Sequence, residues 1–442
     1  MNSKIARLFL ICFTTLYFLS CKPTKQMATN HNLPAIVTTA IPTDSNRTDV
    51  FLENLLKQYP TLFDSILVNR NQLNVQIIYT QVDRGANGNA SLKNYFFNVN
   101  PSRYFYPAST VKLPTVLLAL QRLNELKDKG IDKNSSMITE TAFAGQTAVY
   151  NDPTTPDGRP TIAHYIKKIL LVSDNDAFNR LYEFMGPAYI NKELHKKGYE
   201  DVQILHRLQI ALKPEENRHT NPVIFMGPTG NILYKQDAQY DTTQYLVRHD
   251  FLGKAYMGND YAKGEQLVNE PMNFSGKNRI SLEDLHTILI SLIFPNKVHA
   301  NQRFNLSTED RNFVLKYMSM LPTQSKYPPY ASDTNYFPAY GKFLLFGASK
   351  GDIPSNIRIF NKIGDAYGQM LDVAYIIDLD KKIEFFLSAV IYCNSDGIMN
   401  DDKYDYNNVG LPFMKNLGQV IYEYEVKRPR NRAPDLEEFR KL

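Results

Sequence analysis

Strand segments at both ends of the body constrain this chain most. Val75, Ile77 and Tyr79 alternate with Gln76, Ile78 and Thr80 within Asn74–Val82, the pattern of a β-strand. The turn-forming run Asp83-Arg84-Gly85-Ala86-Asn87-Gly88 follows, and Tyr95–Val99 reads as the second arm of a hairpin. Three more strands, Ile357–Lys362, Leu371–Ile377 and Ile383–Tyr392, are expected near the far end, with Lys381-Lys382 in the turn between the last two. The stretch between is mainly helical in pattern. A sheet must therefore be assembled from both ends of the chain, with helices packed around it, which is an α+β architecture.

The helices are legible from their apolar spacing. Val50–Leu67 carries Phe51, Leu55, Leu62 and Leu67, interrupted at Pro60. From about Ser109 to Leu126, Leu113, Leu117, Leu120 and Leu123 share a face, and Pro114 predicts a slight kink. Thr161 is placed to cap a helix with Ile162, Ile166, Ile169 and Leu170 inward. Asp176–Met185 is expected to stop at Gly186-Pro187, and a closing helix spans about Leu411–Tyr424.

Three segments stand apart from this body. Residues 1–20 begin with Lys4 and Arg7 and continue uncharged from Leu8 to Leu19, too short to span a bilayer but suited to a secretory leader. Residues 21–47, rich in Thr, Asn and Pro, read as a flexible tether. Residues 427–442 form a charged tail, leaving 48–426 as the body.

Charge excludes one broad class. The chain carries +5; without Lys4 and Arg7 it is +3, and the tail's six basic and three acidic residues supply that +3. The body is near neutral, giving no electrostatic case for nucleic-acid binding. The hydrophobic content of 43% rules out a disordered chain. Of the three cysteines, Cys12 leaves with the leader, Cys21 becomes the new N-terminus and Cys393 stands alone. No disulfide framework or cysteine metal site follows, and the eight His lack HExxH or HxH spacing. No metal or cofactor is expected.

Three short motifs carry chemistry. Ser109-Thr110-Val111-Lys112 is the chain's Ser-x-x-Lys, beginning a helix after Pro107-Ala108. A serine hydroxyl attacks poorly until a base takes its proton, and a desolvated lysine one turn away can be that base. Ser173-Asp174-Asn175 lies at a helix junction, where a second hydroxyl can relay a proton and an amide can hold a substrate amide. Helix capping explains these residues as well. Lys362-Ile363-Gly364, followed by Asp365, ends a strand whose edge can bind an extended substrate, with Lys362 facing a carboxylate. A further match, Gly347-Ala348-Ser349-Lys350-Gly351, needs a later His to act as an α/β-hydrolase elbow, and the last His is His299. His206 and His219 could line the cleft but are read as ordinary surface or loop histidines.

In this order and setting, over about Asn74–Tyr424, the motifs resemble those of class A β-lactamases and related penicillin-recognising serine hydrolases. The resemblance implies a β-lactamase/transpeptidase-like fold, with an antiparallel sheet flanked by helices and a mostly helical subdomain. It also implies roles. Ser109 would be acylated, Lys112 would activate it, and Ser173 would relay a proton. Asn175 would bind the substrate's side-chain amide, and Lys362 its carboxylate. Gly364 would lie on the substrate-binding strand, and the backbone N–H groups of Ser109 and Asp365 would form the oxyanion hole. The leader's end, Leu19-Ser20-Cys21, resembles a bacterial lipoprotein signal, which implies a lipid on Cys21 and a place in the cell envelope, facing the periplasm or the cell surface.

The sequence departs from that pattern in three ways. Ile363 stands where a hydroxyl usually donates to the substrate. By offset, Arg207 and Leu212 fit the family's loop, but Gln209 replaces the glutamate that activates water. Glu215 or Glu216 could serve only in another register. The distance from Ser173 to Lys362 is also long, with the excess expected at about 221–277 as a β-rich lid or contact surface. The expected function is an acyl-enzyme hydrolase acting slowly on a β-lactam or related acyl-amide. The alternatives are a cell-wall D-alanyl peptidase or esterase, and a non-catalytic lipid-anchored penicillin-binding or sensor protein. Oligomeric state is left open.

Overall fold

The computed structural model describes residues 46–247 and 255–442. The leader, Cys21 and nearly all of the tether lie outside the described residues. The chain enters through two helices, α1 (Val50–Lys57) and α2 (Pro60–Val68). Pro60 starts the second, where its missing N–H has no helical partner to lose. The hairpin is β1 (Gln76–Arg84) and β2 (Ala90–Phe97). Its second arm begins earlier than its aromatic run suggests, because β2 lies at the sheet edge and can start with exposed polar residues.

A short 3-10 turn, Ala108–Val111, leads into α3 (Lys112–Glu125). Pro114 therefore sits in the first turn of α3, where proline is tolerated, and not in mid-helix. After β3 (Ser136–Thr139) come α4 (Ile162–Val172) and α5 (Asn175–Lys196). The Thr161 side chain accepts from His164 N and caps α4. α5 breaks at Gly186, whose φ of 72° and ψ of 151° are not helical, and resumes at Pro187.

The 221–277 stretch is drawn into the body by short strands. Around it run β4 (His219–Thr220), β5 (Val223–Met226), β6 (Ile232–Gln236), β7 (Gln239–Tyr240), β8 (Tyr256–Met257), β9 (Asp260–Lys263), β10 (Gln266–Val268) and β11 (Met272–Asn273). β5 and β6 complete a three-stranded sheet with β3. Helices α6 (Leu282–Ile293), α7 (Thr308–Ser319) and the single turn α8 (Phe343–Phe346) follow. The chain then forms β12 (Ile357–Ala366), β13 (Gln369–Asp378), β14 (Ile383–Tyr392), β15 (Ile398–Met399), α9 (Leu411–Lys427) and α10 (Glu437–Arg440). β15 pairs with β9, tying the 221–277 stretch to a loop near the C-terminus.

The main sheet is antiparallel, in the order β12-β13-β14-β1-β2. The N-terminal hairpin joins the last strand, with Gln76 opposite Val390. Both faces are covered, so adjacent residues serve different cores. Phe386 and Ile78 face α3, α5 and α6, whereas Phe385 and Ile77 face α1, α2 and α9. All of β13 is buried for this reason. The charged tail also docks. Leu436 and Phe439 are buried, and the Phe439 ring lies 5.2 Å from Phe360. Among the described residues no helix is long and apolar enough to cross a membrane.

Candidate active site

The site begins with strained backbone. Ala108 takes a left-handed φ of 46° before Ser109, and the Thr110 hydroxyl donates to Pro107 O at 2.6 Å, tightening the turn. One turn on, Lys112 lies on the same face as Ser109. Its Nζ, fully buried, is 2.9 Å from Ser109 Oγ. The second motif is the α4–α5 junction. Ser173 ends α4 in left-handed conformation (φ 60°), and Asp174 caps α5 by accepting from Ala177 N at 2.7 Å. Capping thus accounts for Asp174 and leaves Ser173 and Asn175 directed at Lys112. Nζ of Lys112 donates to Ser173 O at 2.5 Å and to Asn175 Oδ1 at 2.6 Å.

The third motif closes the group from β12. Lys362 Nζ donates to Ser173 Oγ at 2.7 Å and to Ile363 O at 2.9 Å. Gly364 shows why that strand needs a glycine. A Cβ there would stand 2.9 Å from Pro107 O and 3.0 Å from Ser109 N, so any side chain would force β12 away from the serine turn. Asp365 follows, exposed, next to Ala366, which lines the same pocket as Ser109. Ile363 is buried outside that pocket.

Burial weakens the hold of both site lysines on a proton. Burial, reinforced by the Lys362 charge, holds Lys112 well below the usual lysine value. Burial brings Lys362 down to about 7, with Asp365 and Asp372 pulling the other way. Ser173 O and Asn175 Oδ1 are acceptors only and take two of the Lys112 N–H bonds, so that once neutral the amine presents its lone pair to the Ser109 hydroxyl.

Gln209 joins through Asn175, whose Nδ2 donates to Gln209 Oε1 at 2.7 Å. It too is left-handed, with φ 58°. Such backbone costs about 1–3 kcal/mol per residue and must be held by its surroundings. The side chain of Asn179 clamps Leu208, donating to its O at 3.0 Å and accepting from its N at 2.9 Å. Arg207 is buried against Glu183, donating at 2.7 Å and 2.9 Å. Glu216 is spent on Lys213 N, and neither Glu215 nor Glu216 lines the pocket of Ser109. Ser349 lies elsewhere, within reach of Lys415 on α9. His219 stacks on Phe143, and His206 lies parallel to Tyr106.

The pocket at Ser109 has a volume of about 430 Å³. Its aromatic wall of Tyr106, Tyr367, Tyr404 and Tyr406 was not foreseen from sequence, nor were Asn179 and Glu183. The last two had a signal. They follow Asn175 at four-residue steps, which puts all three on one face of α5.

Residues 62–424 match the model of a β-lactamase enzyme family. The chain belongs to that β-lactamase family. A search of the curated proteins finds no match. Among solved structures the chain is similar to PBP-A, with 14% identity, 87% of this chain and 100% of that chain covered, and a TM-score of 0.47. It is also similar to an ancestral (GNCA) class A β-lactamase, at 14% identity, 84% and 99% coverage and a TM-score of 0.46. A β-lactamase from Sphaerobacter thermophilus DSM 20745 is similar at 12% identity, 87% and 100% coverage and a TM-score of 0.45. As a β-lactamase-like serine hydrolase by family, the chain has the antiparallel sheet flanked by helices expected of it, with its three motifs meeting in one hydrogen-bonded group.

Proposed function

We propose that this β-lactamase-family protein forms an acyl-enzyme at Ser109 with a β-lactam or a cell-wall acyl-peptide and releases it slowly. The observation carrying this reading is the unbroken contact chain Ser109–Lys112–Ser173–Lys362. Ser109 Oγ attacks the acyl carbon as its proton passes to the Lys112 lone pair. Backbone N–H groups of Ser109 and Asp365 receive the oxyanion, and Asn175 orients the substrate amide. When the C–N bond breaks, the proton returns through Ser173 Oγ to the leaving nitrogen, and Lys362 holds the substrate carboxylate. Water must then attack the ester. Gln209 can orient that water but cannot take its proton, since an amide is no base at neutral pH.

Gln209 also supports a second reading, a penicillin-binding sensor whose adduct is its signal. Intact mass after incubation with a penicillin separates the two. A single adduct absent from Ser109→Ala supports acylation at this site, and its lifetime distinguishes hydrolase from sensor. Labelling that survives in Ser109→Ala removes the mechanism. For location, we propose a lipid on Cys21 holding the mature chain at the cell envelope, facing the periplasm or the cell surface.

A further inference from the structure

The pocket at Ser109 does not end at its aromatic wall. Tyr106, Tyr367, Gln209 and Asn400 also line a second cavity of about 700 Å³ on their far side. Most charged groups around that cavity are already satisfied. Arg207 is held by Glu183. Arg218 donates to Asp241 O and Thr243 O, and Asp241 accepts from the Tyr245 hydroxyl at 2.6 Å.

Lys277 differs. Half-buried, it sets its ammonium 5.5 Å from the centre of the Tyr367 ring, and that ammonium has no hydrogen-bond or ion-pair partner among the described residues. Burial lowers its affinity for a proton, with no carboxylate among the described residues opposing it. Desolvating an unpaired ammonium is costly, and an anion arriving beside it recovers that cost. His206 supplies a second unmet group. Its Nδ1, 2.7 Å from Arg207 O, must carry the proton, which leaves Nε2 as a bare acceptor, buried and without a partner. The face shared by the two cavities is aromatic: Tyr106 and Tyr367 meet edge to face at 5.1 Å.

We propose that this second cavity is a subsite for the acyl donor's remote arm, and that the arm carries a carboxylate paired with Lys277. The assignment rests on acylation at Ser109 and specifies its substrate class. The acyl donor is peptide-sized, with an anionic group well away from the bond that Ser109 attacks. His206 Nε2 accepts an N–H from the same arm, and Tyr106 and Tyr367 pack along its stem. Lys277 thereby sets specificity and takes no part in bond making.

Two D-alanyl thioglycolate thioesters test this, one capped with an N-succinyl group and one with N-acetyl, differing in the remote carboxylate. The mature wild-type chain should acylate faster with the succinyl probe, by about 10- to 100-fold in kcat/KM, mostly through KM. Lys277→Ala should erase the preference, and Lys277→Arg should retain it. Equal rates for the two probes in wild type, or a preference that survives Lys277→Ala, overturns the subsite. Binding to Ser109→Ala by calorimetry separates this failure from failure of the acylation reading. Tighter binding of the succinyl probe, lost in Ser109→Ala/Lys277→Ala, supports the subsite even where neither probe acylates the wild type. Equal binding of both probes refutes it.

Discussion

At the scale of single residues, Lys112 and Gln209 decide opposite halves of the proposed cycle. Burial beside a second lysine weakens the hold of Lys112 on its proton, which suits it to be the base of the acylating half. In the proposed cycle Gln209 stands where the attacking water would be activated, with a group that cannot be a base. Gln209→Glu should therefore shorten adduct lifetime, by about 10²–10⁴-fold if the new carboxylate acts as a full general base. A mass time-course after removal of free ligand measures this. Rapid loss in wild type that depends on Glu215 or Glu216 would place the hydrolytic base elsewhere. The two lysines also set a pH profile. Acylation should fall in acid as Lys112 gains a proton. It should fall again as pH rises through about 7 in free protein, because Lys362 then loses the charge that attracts a carboxylate. An ester probe without that carboxylate should lose the alkaline limb and keep the acid one. An unchanged alkaline limb would remove Lys362 from carboxylate binding.

At the scale of elements, the site depends on how closely β12 approaches the turn before α3. Gly364→Ala should reduce the acylation rate by at least about 10² -fold, since sub-ångström placement of reacting groups governs such steps. It should lower Tm by only a few degrees, because overpacking of this kind costs about 1–3 kcal/mol. Stopped-flow acylation with a chromogenic β-lactam, beside a melting curve, reads both; a near-normal rate would show that the strand can shift without cost. The sequence revealed these elements unevenly. Ser109 and Lys112 were legible because a helix puts residues three apart together. The first arm of the hairpin was legible from alternation, and β12, β13 and β14 were legible as strands as well. Tyr404 and Tyr406 were not, since they lie after β15, before and at the start of a short π-helical turn (Tyr406–Gly410), without strand periodicity, and reach the pocket only through tertiary packing. The 221–277 stretch showed strand-forming residues but nothing of its partners, because β3 and β15 lie far from it in sequence.

At the scale of the molecule, the charged tail hid its role from composition. Leu436 and Phe439 are isolated among charges, yet they fill the core beside Phe360 and Tyr375. At the other end, Cys21→Ala should move the protein from the membrane to the soluble fraction on cell fractionation. Retention by that variant would mean that the body, and not a lipid, makes the contact. The sheet joining these two ends has a further consequence, one of timing. Ser109, Lys112, Ser173, Asn175 and Gln209 all emerge from the ribosome before Lys362, and β1 waits for β14 to complete the central pairing. A partly made chain thus carries the serine while still lacking the strand that presses against it. On the proposed mechanism, acylating competence arrives only when synthesis is nearly complete, and a chain cut short before β12 should be inert.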